Sequence, residues 1–401
     1  MSFNIALTGL TAVNEQLNTV SNNIANTGTT GFKSSRVDFG SLYADTQAMG
    51  VEVLGTTQNI SQSGSVNRTG RNLDLAISGG GFFVTRATSG EMNYTRAGVF
   101  GTDNQNFIVN NLGSRLQGYT VDANGNIQAG TVTDLKLQSA NLPARATDAL
   151  EFGANLDANG AVPAVGAFSP DDPASYNSTY TTQVYDSLGR EHALTQYFVK
   201  TGDNAWQVHY YMDGAQLTDG SGAAVTHDLS FGGQGILQSG QALNLSIDGV
   251  AGAEDLNITL DYTSTTQYGT DFAVHTNRAS GYAAGERTGL VVEDDGRLFA
   301  TYSNGERMLQ GQVVLANFTN PEGLKNISGT AWQTTSASGE PLLGIPGGGQ
   351  FGSLSAGSLE ASNVDLTEQL VGLMEGQRNY QANTTVLSTQ KELTQVLFNA
   401  I

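Results

Sequence analysis

Residues 3–25 read FNIALTGLTAVNEQLNTVSNNIA. Apolar side chains fall at Phe3, Ala6, Leu10, Val13, Leu17, Val20 and Ile24, in steps of three and four without a miss, which is the seam of a heptad repeat. The other flank, with Asn14, Gln16, Asn18, Thr19, Asn22 and Asn23, is polar. The pattern stops in Asn26-Thr27-Gly28-Thr29-Thr30-Gly31, so one amphipathic helix is predicted over 3–25. The far end of the chain mirrors it. Leu366, Leu370, Leu373 and Tyr380 keep one heptad phase, and Ala382, Val386, Leu393, Leu397 and Ala400 continue in a shifted one, as a stutter produces. Ser362, Asn363 or Asp365 can cap its start, with Glu368 in the first turn. A helix from 365 to 399 would be about 50 Å long, too long to stand without packing on something. A 24-residue helix rich in Asn and Thr is marginal alone, so the two stripes are expected to bury each other, end with end and then copy with copy.

Between the ends the sequence reads as β. Two-residue turns are suggested at Asn124-Gly125, Asn159-Gly160, Asp213-Gly214, Asp219-Gly220, Asp248-Gly249, Asp295-Gly296 and Asn304-Gly305. Alternation in Leu256-Asn257-Ile258-Thr259-Leu260-Asp261-Tyr262 and in Trp206-Gln207-Val208-His209-Tyr210 implies sheets with one buried face. Low-complexity joints fall at 153–175 and around Gly344-Ile345-Pro346-Gly347-Gly348-Gly349. The fold class is therefore mainly β with helical termini.

Composition narrows the function classes. At 401 residues the chain has room for several domains, and only 14% of it is charged while 50 residues are Gly. Thirty-seven acids against 18 bases give a net charge of −19, which argues against wrapping nucleic acid. Residues 1–100 balance six acids with six bases, whereas 145–284 hold sixteen acids and four bases, a net −12. Near-neutral ends can come together densely, and an acidic middle repels its copies and stays wet. With no Cys there is no disulfide, thiolate nucleophile or Cys-ligated metal. No run reaches the ~18 apolar residues of a membrane helix, so membrane insertion is not expected. The first 32 residues carry no Lys or Arg, and the expectation is a chain that stays in the cytosol or leaves by a route without a cleaved signal.

Catalysis finds no foothold. His192, His209, His227 and His275 lack metal-ligand spacing and read as ordinary strand or surface residues. Asp122-Ala123-Asn124-Gly125-Asn126 has its Gly too early for a calcium loop. Gly79-Gly80-Gly81 leads into the strand Phe82-Phe83-Val84, not into a helix that could cradle phosphate. Asp171-Asp172 and Asp294-Asp295 sit in turns. An aromatic sugar platform from Tyr197, Trp206, Tyr210 and Tyr211 is the competing idea, but alternation puts most of these in a core. No catalytic, cofactor or metal site is expected.

Ser21-Asn22-Asn23-Ile24-Ala25-Asn26-Thr27 with Thr30-Gly31-Phe32-Lys33 resembles the N-terminal motif of the flagellar rod, hook and hook-associated axial proteins. Gly357-Ser358-Leu359-Glu360-Ala361-Ser362-Asn363-Val364-Asp365-Leu366 and Gln377-Arg378-Asn379-Tyr380-Gln381-Ala382-Asn383 resemble that family's C-terminal motif. Ser264-Thr265-Thr266-Gln267-Tyr268-Gly269, Gly281-Tyr282-Ala283-Ala284-Gly285-Glu286, Ala300-Thr301-Tyr302-Ser303-Asn304-Gly305-Glu306 and Ala316-Asn317-Phe318-Thr319-Asn320-Pro321-Glu322-Gly323-Leu324 are similar to the hook branch of the family, and the length exceeds that of rod members. The likeness covers roughly 1–140 and 262–401, and Arg287 stands where the pattern has an apolar residue. A rod or hook-filament junction member is the alternative within the family.

The resemblance implies a structural subunit, not an enzyme, that self-assembles into a curved tube acting as a universal joint between motor and filament. It implies an inner helical coiled coil from 1–24 and 363–401, a connecting segment from 25–70 and 359–362, a first β domain from 71–144 and 285–358, and an outer acidic β domain from 145–284, nested at increasing radius. The axial core would be Leu10, Val13, Leu17, Val20 and Ile24 with Leu366, Leu370, Leu373, Tyr380, Val386, Leu393 and Leu397. Asn22, Asn23, Ile24, Ala25, Asn26, Gly31, Phe32, Lys33, Ser362, Asn363, Val364, Asp365, Gln377, Arg378, Tyr380, Gln381, Ala382 and Asn383 carry the motif. Implied partners are further copies of the chain, rod subunits proximally, a hook-filament junction protein distally, and the hook cap and flagellar type III export apparatus during assembly, outside the cell.

Overall fold

The computed structural model describes residues 2–44, 47–122, 125–138, 141–248 and 252–399, without the side chains of 2, 44, 48, 397 and 398. The chain forms two compact units, one from 1–138, 289–301 and 307–401, the other from 139–288 and 302–306.

The first unit holds both helices, α1 (Ser2–Ala25) and α2 (Leu366–Asn399). The chain leaves α1 through a turn and enters a long antiparallel hairpin of β1 (Ser35–Ala44) and β2 (Gln47–Gln58), paired from Ser35↔Gln58 to Ala44↔Gln47 with bulges after Asp38 and Leu42. Its sheet runs Arg297–Tyr302, Arg307–Val313, Arg115–Val121, Phe82–Arg86, Met92–Thr95, Ala331–Gln333 in that spatial order. Strands from opposite ends of the sequence also pair. Val66–Arg68 lies against Ser358–Glu360, and Leu75–Ser78 against Ser353–Ala356. Leu75, Ile77, Phe83, Leu116, Leu298 and Leu354 share one buried cluster, and Phe82, Tyr94, Phe318 and Trp332 form another by edge-to-face contacts.

The second unit packs two sheets on a common core. One is ordered Ala242–Ile247, Leu256–Asp261, Ala149–Asp157, Thr266–Tyr268, with Ala273–Ala279 also on Ala149–Asp157. The other is ordered Ser178–Tyr185, Glu191–Gly202, Ala205–Met212, Thr226–Phe231, Leu237–Ser239. Both alternating stretches bury the side chains that period two assigns to the inner face. Trp206 and Tyr210 are fully buried, and Tyr210 and Tyr262 share a hydroxyl contact of 2.9 Å in the core. The four-residue sugar platform is thereby dismantled.

Two expectations need correcting. The joint set at 153–175 starts later, because 153–157 completes the central strand Ala149–Asp157. Two-residue turns fit Asp213-Gly214, where both φ angles are positive. At Asp295-Gly296 and Asn304-Gly305 only the Gly is left-handed, and the pairs Glu293/Arg297 and Tyr302/Glu306 close three-residue loops, the type I turn with a bulge that relieves strand twist. Asp219-Gly220 likewise turns on Gly222, and Asn159-Gly160 links no hairpin. Asn124-Gly125 and Asp248-Gly249 lie partly outside the described residues. Arg287 is half-buried, and its Nη1 has no hydrogen-bond partner among the described residues.

Candidate assembly site

The helices run side by side, α1 ending where α2 begins. An ideal Cβ at Gly9 would sit 2.9 Å from the Asn383 amide oxygen, one at Gly376 2.8 Å from Leu17, and one at Gly372 3.8 Å from Val20. Asn23 Nδ2 donates to Gln369 Oε1 at 3.0 Å. The face of α2 that meets α1 therefore carries Gln369, Gly372, Gly376 and Asn383. Small residues there let the two backbones approach, as ridges need shallow grooves.

The apolar rows do not meet seam to seam within one chain. Val13 of α1 is buried and Leu10, Leu17, Val20 and Ile24 are half-buried, whereas Leu366, Leu370, Tyr380, Val386 and Leu393 of α2 are exposed and Leu373 is half-buried. Leu397 lies in α2 with its side chain outside the described residues. Gly372 and Gly376 leave room on the contact face for Val20 and Leu17 of α1, and the leucines of α2 fall on the flanks.

The motif residues gather at the foot of the helices. Asn23, buried to 1% exposure, bridges α1 to β1 by donating to Ser35 O at 2.7 Å and accepting from Ser35 N at 2.9 Å. Asn26 N reaches back to Asn22 O at 3.1 Å and closes α1, and Asn26 Oδ1 accepts from Thr29 at 3.0 Å. Gly31 has φ +69°, and a Cβ there would lie 2.5 Å from the Ala97 backbone nitrogen, so only glycine fits. Asn363 accepts from Ser34 N at 2.7 Å and donates to Asn59 O at 2.9 Å and Gln62 O at 3.1 Å, tying the start of the C-terminal segment to both sides of the hairpin base. Asp365 caps α2 by accepting from Thr367 N at 2.8 Å and Glu368 N at 3.2 Å. Ser362 accepts from Val364 N at 3.3 Å. Phe32 and Val364 are half-buried, Ala25 is exposed at the end of α1, and Gln377, Arg378, Gln381 and Ala382 are exposed along α2.

Below this joint lies an ionic triad. Lys33 Nζ donates to Glu360 Oε1 at 2.7 Å and to Gln62 O at 2.6 Å, and Arg96 Nη1 donates to Glu360 Oε2 at 3.1 Å, with Lys33 and Glu360 side chains wholly buried. Burial lowers the Lys33 ammonium and the Arg96 guanidinium from their usual ranges, and the Glu360 carboxylate opposes that fall in both. Arg96 Nη2 also reaches Gly79 O at 2.8 Å, and Gly64 N donates to Glu360 at 3.0 Å. Two cations from the N-terminal third thus share one anion from the C-terminal segment. Sequence reading quoted Glu360 without singling it out and missed Arg96. Nothing in a lone acid inside a short strand marks it as a buried counterion.

Four family descriptions match in order along the chain: flagella basal body rod protein over 3–33, flagellar hook protein FlgE/F/G D1 domain over 76–162, flagellar basal body protein FlaE D2 domain over 155–282, and flagellar basal body rod FlgEFG protein C-terminal over 355–400. Flagellar hook protein FlgE of Salmonella typhimurium is 38% identical over the whole of both chains. That of Rhizobium meliloti is 34% identical over 98% of this chain and 97% of its own. The crystal structure of Helicobacter pylori flagellar hook protein FlgE2 covers 74% of this chain and all of its own with a TM-score of 0.56 at 13% identity, a likeness of fold. With such identity over its full length, the chain belongs to the flagellar hook protein family.

Proposed function

We propose that the chain is the repeating subunit of the flagellar hook, a curved tube that turns as a universal joint between the rod and the filament. One observation carries this reading. A 34-residue helix leaves Leu366, Leu370, Tyr380, Val386 and Leu393 uncovered by its own chain, and such rows belong in contact with another helix. Copies of the chain are the occupant. Residues 1–24 with 363–401 form the inner layer, 25–70 with 359–362 the connection, 71–144 with 285–358 the first β domain, and 145–284 the outer one. Rod subunits and a junction protein flank the tube, a cap sits on its growing end, and the chain reaches the outside through the flagellar export apparatus. Ends that order fully only on docking keep the free subunit from polymerising early.

Deleting 1–30 and 363–401 tests it. Lys33, Arg96 and Glu360 all survive that trimming, so the remainder should sediment as a folded monomer while the full chain forms tubes under the electron microscope. Tubes from the trimmed chain would overturn the reading.

A further inference from the structure

We infer that residues 352–363 are the closing strand of the first unit: they lock into a groove built by residues 31–98 as the last step of folding, and that step seats α1 and α2 on a common foot. The order of closure is a property of the free subunit, and only its consequence for assembly rests on the hook subunit reading.

The groove is unfinished without that strand. Ser353–Ala356 and Ser358–Glu360 supply the partner edges of Leu75–Ser78 and Val66–Arg68. Outside those ladders, Gly31 N donates to Glu360 O, Ala361 N to Ser65 O and Gly352 N to Gly80 O, each at 2.8 Å. Leu354, 2% exposed, completes the cluster that holds Leu75, Ile77 and Phe83. The fit is close at both ends of the strand. A Cβ on Gly64 would lie 1.9 Å from Ala361 O, and one on Gly352 2.4 Å from Ser78 O, so backbone passes where no side chain has room.

Charge makes the groove depend on the strand. Lys33 and Arg96 are 1% and 3% exposed, and Glu360 is the carboxylate that pairs with both. Before Glu360 arrives, burying the two cations would leave them side by side without an anion, at a steep cost in desolvation. Residues 31–34 therefore have no stable place against 96–98 until the far end of the chain is in position. α1 is tied to the same stretch through Asn23 and Ser35. α2 starts just past Asn363, whose side chain spans Ser34, Asn59 and Gln62.

Sequence separation puts this contact last. Lys33 and Glu360 are 327 residues apart, whereas the second unit is drawn mainly from the continuous stretch 139–288. Longer loops cost more entropy to close, and non-local pairing is slow. Once the second unit is compact, Gly311 and Leu315 can pair with Thr120 and Phe83, and 352–363 then close over the short loop that remains. The consequence is a requirement for completeness. A chain that emerges N-terminus first shows α1 long before its seat exists, so a chain lacking its last segment is not admitted to the tube.

Pulse-labelled hydrogen exchange during refolding of the full chain, read by mass spectrometry of its peptides, follows the order. Peptides from 194–212 should gain protection first, those from 82–86 and 115–121 next, and those from 64–70 and 352–361 last and together. Glu360→Gln keeps the side-chain shape and removes the charge. It should cut the final protection of 64–70 and 352–361 by about tenfold or more while the first two phases keep their native rates, since a contact absent from a step does not alter its rate. Protection of 352–361 in the same phase as 82–86 and 115–121, or earlier phases slowed by Glu360→Gln, would overturn the inference. If that variant does not reach the folded state, the order in the native chain decides alone. A native chain that closes in this order yet forms no tubes would count against the hook subunit reading and leave the closing strand standing.

Discussion

At the scale of single residues, burial has converted ordinary side chains into structural commitments. Glu360 is the clearest. Truncating it to Ala would leave Lys33 and Arg96 buried without their anion, and breaking a buried ion pair by removing one partner costs about 3–5 kcal/mol. We expect Glu360→Ala to lower the stability of the first unit by that order, read by denaturant unfolding through Trp332, with Trp206 replaced by Phe so that the second unit is silent. A loss below about 1 kcal/mol, the range of exposed pairs, would show that the triad is not what holds the C-terminal segment down. In the second unit His192 Nδ1 lies 2.7 Å from Asp213 Oδ2 and Nε2 3.4 Å from Asp186 Oδ2. The Asp213 hydrogen bond raises the His192 pKa above its usual value, burial works against it, and Asp186 adds to the rise. A raised folded-state pKa means stability that is fully present below about 6.5 and lost as pH rises through the folded value. Burial pushes Asp186 up, but bonds from Arg190, His192 and the Leu188 amide outweigh it and hold the carboxyl at about 2, so its contribution disappears only in strong acid. The unfolding midpoint of the second unit, followed by Trp206 fluorescence, should therefore fall from pH 6 to pH 9 in the native chain and stay flatter in His192→Gln. Parallel curves for the two would refute the clasp. None of this was legible beforehand, since the four histidines read as ordinary residues and pairing between a turn and a strand start leaves no spacing signal.

At the scale of elements, periodicity was a sound guide to existence and a poor one to partners. Steps of three and four located α1 over 3–25 and α2 from 365, against Ser2–Ala25 and Leu366–Asn399 in the structure. Strict alternation likewise assigned the inner faces of Ala205–Met212 and Leu256–Asp261. The error lay in assuming that the apolar row of α2 faces α1. Heptad reasoning ranks side chains by hydrophobicity and gives Gly no weight, yet at a close crossing the absence of a side chain decides which face fits. Gly376 offers a direct check. A Cβ alone meets only the flexible end of Leu17, and replacing Gly by Ala in a helix interior adds about 1 kcal/mol of helix propensity, so Gly376→Ala should leave the helical content and tube yield near native or better. Gly376→Leu overfills the same gap, at about 1–3 kcal/mol, and should separate α2 from α1, lowering the thermal midpoint of the helical circular dichroism signal and abolishing tubes. Tubes of normal yield from the Leu variant would show that the α1–α2 contact is dispensable for assembly.

At the scale of the whole molecule, the uneven distribution of charge separates two kinds of work. A rotating curved tube shortens each row of subunits on the inside of the bend and lengthens it on the outside once per turn, so contacts near the axis must persist while those at larger radius must slide. The helices of the first unit offer apolar rows that can persist. The second unit gathers most of its large apolar residues in one internal core and exposes others, Val162, Val165, Leu188, Ile236 and Tyr268, at its surface, and residues 145–284 carry the net charge of −12. Like-charged, wet surfaces pass one another without a deep hydrophobic interlock to break. Screening should then matter, because exposed charges farther apart than about 10 Å are largely silenced at 0.1 M salt, leaving hydration and the lack of apolar grip to keep the surface slippery. Replacing exposed acids such as Asp228, Glu254 and Asp271 with Leu should create that grip while leaving the core untouched. The expected outcome is a chain that still polymerises but yields straight or frozen tubes and poorly swimming cells, scored by electron microscopy of isolated hooks and by motility in soft agar. Hooks of native curvature on normally swimming cells would show that sliding does not depend on this acidic surface, and would shift the search for compliance to residues 25–70.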